Sequence, residues 1–240
     1  MPASSFVSLL RAPDLVRAFG PDNKGVPLEP RPNLEWSGLE SSIQCAPNDE
    51  ELKIFITSPA QVSWVQLRWR ADLRVLKRFL GDHWERSYGD LEWRGEVPNR
   101  AMPWYFMAND GQRTHGYGVL TGANAFCFWT ADAEGISFWM DLRCGGEPAD
   151  LSDRRLHAAT VVCREGKEGE SSFQATQAFC KRLCPRPLLP DHPIYGTNDW
   201  NYAFGRSSAE LIAQVSGLIS ELSPSQENRP YSLIDEGWAM

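Results

Sequence analysis

The feature that most constrains this chain is a series of short apolar runs broken by turn formers. Lys53-Ile54-Phe55-Ile56, Tyr117–Val119, Phe126-Cys127-Phe128-Trp129, Ile136–Met140 and Ala159-Thr160-Val161-Val162 are each too short for helices. Val65, Leu67 and Trp69 alternate with Gln66, Arg68 and Arg70, the period of a strand with one face in water. Asn109-Asp110-Gly111, Gly122-Ala123-Asn124 and Gly145-Gly146 punctuate the series. Many short strands with frequent turns predict an antiparallel β-sandwich over residues 51–170. Ten tryptophans suit two packed sheets with large inward side chains. Residues 1–50 carry turn formers such as Gly20-Pro21-Asp22 and Pro30-Arg31-Pro32-Asn33. They read as an irregular segment holding one strand.

Composition removes several classes of function. With 240 residues the chain can bury a sizeable core, and 42% apolar content excludes disorder. A net charge of −7, from 24 basic and 31 acidic residues, argues against nucleic acid, whose binding rests on Lys/Arg contacts to phosphate. No apolar run approaches the roughly 20 residues of a membrane span. Phe6–Leu10 is too short for a signal peptide and lacks a basic flank. The six cysteines, Cys45, Cys127, Cys144, Cys163, Cys180 and Cys184, form no CxxC pair. They read as reduced, mostly buried thiols of a cytoplasmic protein, with disulfides after export as the alternative.

The pattern changes near Glu170. Phe173, Gln177, Phe179 and Cys180 follow helical spacing until Pro185-Arg186-Pro187 stops them, so 171–190 reads as a helical linker. Ile194–Trp200 reads as a strand. Ser207-Ser208-Ala209-Glu210 reads as a capping box, followed by Leu211, Ile212, Val215, Leu218, Ile219 and Leu222 on one helical face. Tyr231–Ile234 is a second strand. Residues 191–240 thus form a strand–helix–strand unit whose two strands should be parallel and buried on both faces. Such a unit leaves open edges and is not a domain. We expect it to open a longer parallel α/β domain in a truncated chain. The alternative is completion by strands from elsewhere in these residues.

Ligands bind at the C-terminal ends of strands in such domains. Asp199-Trp200 and Asp235-Glu236 with Trp238 fall at these ends. Carboxylates accept hydrogen bonds from paired sugar hydroxyls, and an indole can stack on the apolar face of a pyranose. The residues leave a turn or cap role for Asp235 and Glu236 open, and core packing for Trp200 and Trp238.

Pro193–Trp200, the capped helix and Asn228–Trp238, with Ile234-Asp235-Glu236-Gly237-Trp238 as the most specific element, resemble the opening of the catalytic barrel of melibiase-type α-galactosidases. These are the retaining glycoside hydrolases of family 36. Trp84–Trp93 and Phe126–Gly146 resemble the β-supersandwich that precedes that barrel, more weakly. The resemblance covers about residues 75–240. It implies a mainly β chain: an antiparallel supersandwich followed by an incomplete βαβ start of a (β/α)8 barrel. It also implies that Trp200 lines the terminal-galactose subsite and that Asp235 grips sugar hydroxyls. Trp238 matches the tryptophan that closes the motif. Glu236 stands where the family usually has a second aspartate, which puts the sugar preference in question. The nucleophile and acid/base of the family lie on later strands that nothing here matches, so this chain carries no catalytic residue and is expected to be silent alone. The implied partner is an oligosaccharide or glycoside, with no metal or organic cofactor; assembly into a homo-oligomer stays open. The rival expectation is a non-catalytic carbohydrate-binding sandwich, or a related α-glycosidase or transglycosylase for another sugar.

Other constellations are weak. His83, His115, His157 and His192 have no paired spacing, and His115 reads as a satisfied structural histidine. There is no G-x-S-x-G. Gly116-Tyr117-Gly118 lacks a third glycine and a following helix. Arg164–Glu170 reads as a solvated hairpin turn. Trp84–Trp93 reads as strand–turn–strand or as an aromatic loop reaching a sugar pocket.

Overall fold

The computed structural model describes residues 5–81, 92–223 and 227–235. Residues Met1–Pro185 and Arg186–Met240 form two compact units. The first half of the larger unit contributes β1 (Leu15–Phe19), β2 (Gly25–Pro27), β3 (Glu29–Arg31), β4 (Glu35–Gly38), β5 (Ser41–Pro47), β6 (Leu52–Thr57), β7 (Trp64–Arg70) and β8 (Arg78–Gly81). Its second half adds β9 (Met102–Pro103), β10 (Tyr105–Asn109), β11 (Thr114–Val119), β12 (Phe126–Asp132), β13 (Gly135–Asp141), β14 (Leu156–Arg164) and helix α1 (Ser172–Leu183). The smaller unit has β15 (Gly196–Asn198), α2 (Trp200–Ala203), α3 (Ala209–Leu222) and β16 (Tyr231–Leu233).

The larger unit is mainly β and antiparallel. One sheet runs β2-β1-β7-β13-β12-β9 and the other β3-β4-β5-β6-β14-β11-β10-β8. Inward residues come at period 2. Val65, Leu67 and Trp69 of β7 meet Ile43, Ile54 and Tyr117 of the facing sheet in one core. Trp129 and Phe138 lie at its centre with ring centroids 4.4 Å apart. Met102 and Phe106 are buried in this core, whereas Trp104 is exposed.

Residues 1–50 differ from the expected irregular segment: they hold β1 to β5. Their pattern is faint because β2 and β3 have three residues each and no buried side chain, and because β5 turns Ser41 inward beside Ile43 and Cys45. Helix α1 is more than a linker. Ser171 caps it by accepting from the Gln174 N–H at 3.3 Å, and the Gln174 side chain accepts from the Ser171 N–H at 3.0 Å. Phe179, Ala175 and Leu183 then pack on Met107 and Val162 of the eight-stranded sheet. Gly116 and Gly118 make room for it: a Cβ at Gly116 would lie 2.5 Å from the Phe179 ring. Those glycines are a seat for a helix. Arg164–Glu170 is no hairpin; it joins β14 to α1. Arg164 and Glu170 pair at 2.6 Å and are both largely buried.

In the smaller unit β15 and β16 are parallel, in the register Gly196↔Tyr231, Thr197↔Ser232 and Asn198↔Leu233. They are not buried on both faces as expected. Every residue of β16 is exposed, and α3 has no buried residue. Parallel strands are buried on both faces only when helices or further strands cover both. The described residues of this unit place α3 beside the sheet, where Ser216 donates to Ser232 at 2.8 Å. The expected strand over Ile194–Trp200 is shorter, because Trp200 already opens α2. The helix cap falls one residue later, on Ser208, which accepts from the Leu211 N–H at 3.2 Å. No helix among the described residues is long and apolar enough to cross a membrane.

Candidate functional site

Parallel pairing brings the C-terminal ends of β15 and β16 side by side. Asn198 closes β15, and past the strand ends lie Asp199 and Trp200 on one segment and Asp235 on the other. Asp199 ties them together. Its Oδ1 accepts the Asp235 backbone N–H at 2.7 Å, its Oδ2 accepts the Ser207 hydroxyl, and its own N–H donates to the Leu233 carbonyl at 3.2 Å. These donors, the Ser207 hydroxyl first, hold its carboxyl below the usual aspartate range. Asp199 is 1% exposed. A buried carboxylate with both oxygens engaged shapes the site and does not meet a ligand.

Asp235 differs. Asn198 Nδ2 donates to its Oδ2 at 2.7 Å, while Oδ1 has no partner among the described residues. The other end of the same Asn198 amide accepts the Trp200 N–H at 2.9 Å, so one side chain orients both the acid and the start of α2. Trp200 is 39% exposed and meets Phe204 edge-on at 6.2 Å. Phe204 closes α2 in the left-handed region (φ 50°, ψ 50°). Such a backbone costs a non-glycine residue about 1–2 kcal/mol. The structure thus brings together Asp199, Trp200 and Asp235. Glu236 and Trp238 lie outside the described residues, as do residues 84–91 of the Trp84–Trp93 segment; Trp93 borders the cluster under α1.

Sequence reasoning missed three members. Asn198 was legible as an amide next to Asp199 at a strand end. Ser207 was read as a helix cap and serves Asp199 instead. Phe204 carried no signal, since its place depends on the turn after α2.

A second polar cluster lies in the larger unit. Ser5 donates to Asp110, and its hydroxyl is 2.9 Å from His115 Nε2. The composition is that of a hydrolytic triad, but the tautomer is wrong for one. Gly166 N–H donates to His115 Nδ1 at 3.1 Å, so the neutral ring carries its proton on Nε2 and cannot take one from Ser5. His115 is fully buried, and burial first of all pushes its pKa below the ordinary histidine value. Burial alone would raise the Asp110 carboxyl. Hydrogen bonds from Ser5 and from the backbone of Arg113 and Gln112 outweigh it and bring it to about 2. The cluster pins the N-terminal segment to β11.

All six cysteines are free; Cys45, Cys127 and Cys163 are buried, Cys184 is half-buried, and Cys144 and Cys180 are exposed. Burial raises the Cys45 and Cys127 thiols to about 12, which removes them as nucleophiles. Among the described residues no group of three His, Cys, Asp or Glu side chains is placed to hold a metal.

No protein-family model matches this chain, and no curated protein is significantly similar to it. What the fold defines is a mainly β chain: an antiparallel two-sheet unit followed by a small parallel strand–helix–strand unit.

Proposed function

We propose that this chain is the N-terminal part of an α-galactosidase-like retaining glycoside hydrolase, with residues 191–240 as the first βαβ unit of its (β/α)8 barrel. One observation carries the reading: a carboxylate with one oxygen unengaged among the described residues and a half-exposed indole stand together past the C-terminal ends of two parallel strands. In this reading Asp235 accepts hydroxyl hydrogen bonds from a terminal sugar, and Trp200 covers the sugar's apolar face. Glu236 adds the second acidic group, one methylene longer than an aspartate. Asn198 and Asp199 are positioning residues that fix Asp235 by its side chain and its backbone. The uncovered apolar side chains of β16 and α3 are the faces that further β/α units would bury.

The reaction would be double displacement through an oxocarbenium-like transition state, with a nucleophile and a proton donor roughly 5–5.5 Å apart. Asp199 suits neither role, being buried, doubly hydrogen-bonded and held ionised. Both groups belong to later β/α units of the enzyme. The test is to express the whole reading frame containing these residues and assay it on nitrophenyl α-galactoside and neighbouring α-glycosides. Turnover that Asp235→Ala reduces by about 1.5–3 kcal/mol of transition-state binding, with an unchanged melting temperature, supports the reading. Absence of turnover on every α-glycoside overturns it.

A further inference from the structure

The N-terminal segment is held by two different means along its length. From Leu9 onward the contacts do not involve a titrating group: Leu9 is fully buried in the core, and Trp69 Nε1 donates to the Arg11 carbonyl at 3.1 Å. Before Leu9 they converge on the start of β11 and the turn that precedes it. Ser5 donates to Asp110, and its hydroxyl oxygen is 2.9 Å from His115 Nε2. The Phe6 ring lies 5.5 Å from the His115 ring and 5.9 Å from the Tyr117 ring. The Val7 N–H donates to the Tyr117 hydroxyl at 3.1 Å.

These hydrogen bonds run in one direction. The Gly166 N–H donates to His115 Nδ1, so Nε2 carries the ring proton and donates to Ser5, whose own proton goes to Asp110. The chain works in one protonation state only. A second proton, on Nδ1, would set two N–H groups against each other at 3.1 Å.

The two sides of the ring are not equally able to yield. On one side a Cβ at Gly166 would lie 2.4 Å from the Thr114 carbonyl oxygen, so the two backbones approach as closely as glycine permits. The buried Arg164–Glu170 pair, at 2.6 Å, ties that link at both ends. On the other side Ser5–Val7 is held by one hydroxyl, one half-buried ring and one N–H. The charged groups around the ring act in both directions. Asp110, 3.8 Å from Nε2, and Glu165 favour the imidazolium. Arg113 opposes it and pairs with Glu165 at 3.6 Å and Glu168 at 3.9 Å. Burial is the largest influence and keeps the ring neutral while Ser5 and Phe6 cover it. The Asp110 carboxyl, at about 2, stays ionised at any mildly acidic pH, so the histidine is the member of this chain that changes.

We propose that Ser5–Val7 is an acid-released strap, latched on β11 while His115 is uncharged and let go when the imidazole takes a second proton. It is independent of the strand-end site and of the glycosidase reading. A ring that has reached water accepts that proton at about pH 6.5. The released state therefore binds the proton more readily than the latched one, so the latch is full above that pH and weakens as pH falls. Each pH unit below it multiplies the released fraction by about ten, until the latched ring itself is protonated.

The test is hydrogen exchange of the 240-residue chain between pH 6.5 and 5, with rates corrected for the intrinsic pH dependence of exchange. The Val7 amide should lose protection about tenfold per pH unit, starting from a level well below that of the β7 amides. His115→Asn, whose side-chain oxygen can still accept from Gly166, should abolish that slope. Ser5→Ala leaves the ring in place; it should lower Val7 protection at every pH and keep the slope. The wild-type and Ser5→Ala slopes decide the matter by themselves should His115→Asn not fold. Three results overturn the strap: Val7 protection that does not change with pH in the wild type, a slope that is the same in His115→Asn, or protection equal to that of the β7 amides at every pH, which would mean that the segment opens only when the whole unit unfolds.

Discussion

The larger unit hides nearly every large side chain its strands turn inward, while the smaller one hides almost none. Trp69, Trp129, Phe106 and Phe138 are essentially without solvent contact; Leu218, Leu222, Tyr231 and Leu233 are all more than half exposed. Both are built from strands and helices of ordinary sequence, so the contrast does not come from propensity. It comes from coverage. Antiparallel strands in two facing sheets bury each other's inner faces. A pair of parallel strands with one helix has nothing for its second face. Stability therefore resides in Met1–Pro185, and what Arg186–Met240 offers is a set of strand ends carrying Asp235 and Trp200.

The harshest way to break this comparison is to remove a ring from the sandwich. Trp129→Ala takes away a fully buried indole that touches Phe106 and Phe138 and whose Nε1 donates to the Trp104 carbonyl at 3.2 Å. A loss of about 3–5 kcal/mol in chemical denaturation is expected. A loss under about 1 kcal/mol would show that the core is not the stabilising element.

Much of the larger unit was legible because period 2 is a strong signal wherever one face is dry. Val65–Arg70, Phe126–Trp129 and Ile136–Met140 announce strands with inward residues already marked. The first 50 residues were not, because short edge strands and inward-facing serines carry little apolar contrast. The helix and parallel pairing of the smaller unit were legible from the Ser207–Glu210 run, the leucine spacing and the two apolar runs, although the cap itself sits on Ser208 and not on Ser207. Its exposure was not, since periodicity tells which face is apolar and says nothing of whether a neighbour arrives to cover it. At the site, Asp199 and Asp235 looked equivalent in sequence. Only the hydrogen bonds from Ser207 and from the Asp235 backbone separate a structural carboxylate from one that can meet a ligand.

A gentler probe uses pH. His115 is neutral and buried in the folded protein, with a pKa below its unfolded value of about 6.5. As pH falls below 6.5 the unfolded chain takes up the proton first, so stability is full above that value and declines toward the folded pKa, below which it levels off. Protonation also places a second N–H on Nδ1, facing the Gly166 N–H. Denaturation midpoints between pH 7.5 and 5 should fall in the wild type and fall less in His115→Gln. Equal slopes would mean that the ring takes up its proton as readily in the fold as in the unfolded chain. Smaller again is the cap of α1. Ser171→Ala should cost about 1 kcal/mol and loosen protection of the α1 amides in hydrogen exchange, leaving β7 and β13 unaffected.

The smallest expected effect is the sharpest test of the contrast. Leu233 ends β16 at 55% exposure, opposite Asn198 in the ladder. In a sandwich strand, replacing a leucine by serine would leave a cavity and an unpaired hydroxyl. At an uncovered position it leaves neither, because water already touches the side chain before the change. Leu233→Ser in the 240-residue chain should therefore shift stability by no more than about 0.5 kcal/mol. It should also reduce any self-association, since short apolar strands with open edges are places where copies pair. If it cost 2 kcal/mol or more in the monomer, the face of β16 would be covered in solution. The distinction between a self-sufficient sandwich and an uncovered parallel pair would then have to be abandoned, and the proposed barrel opening with it.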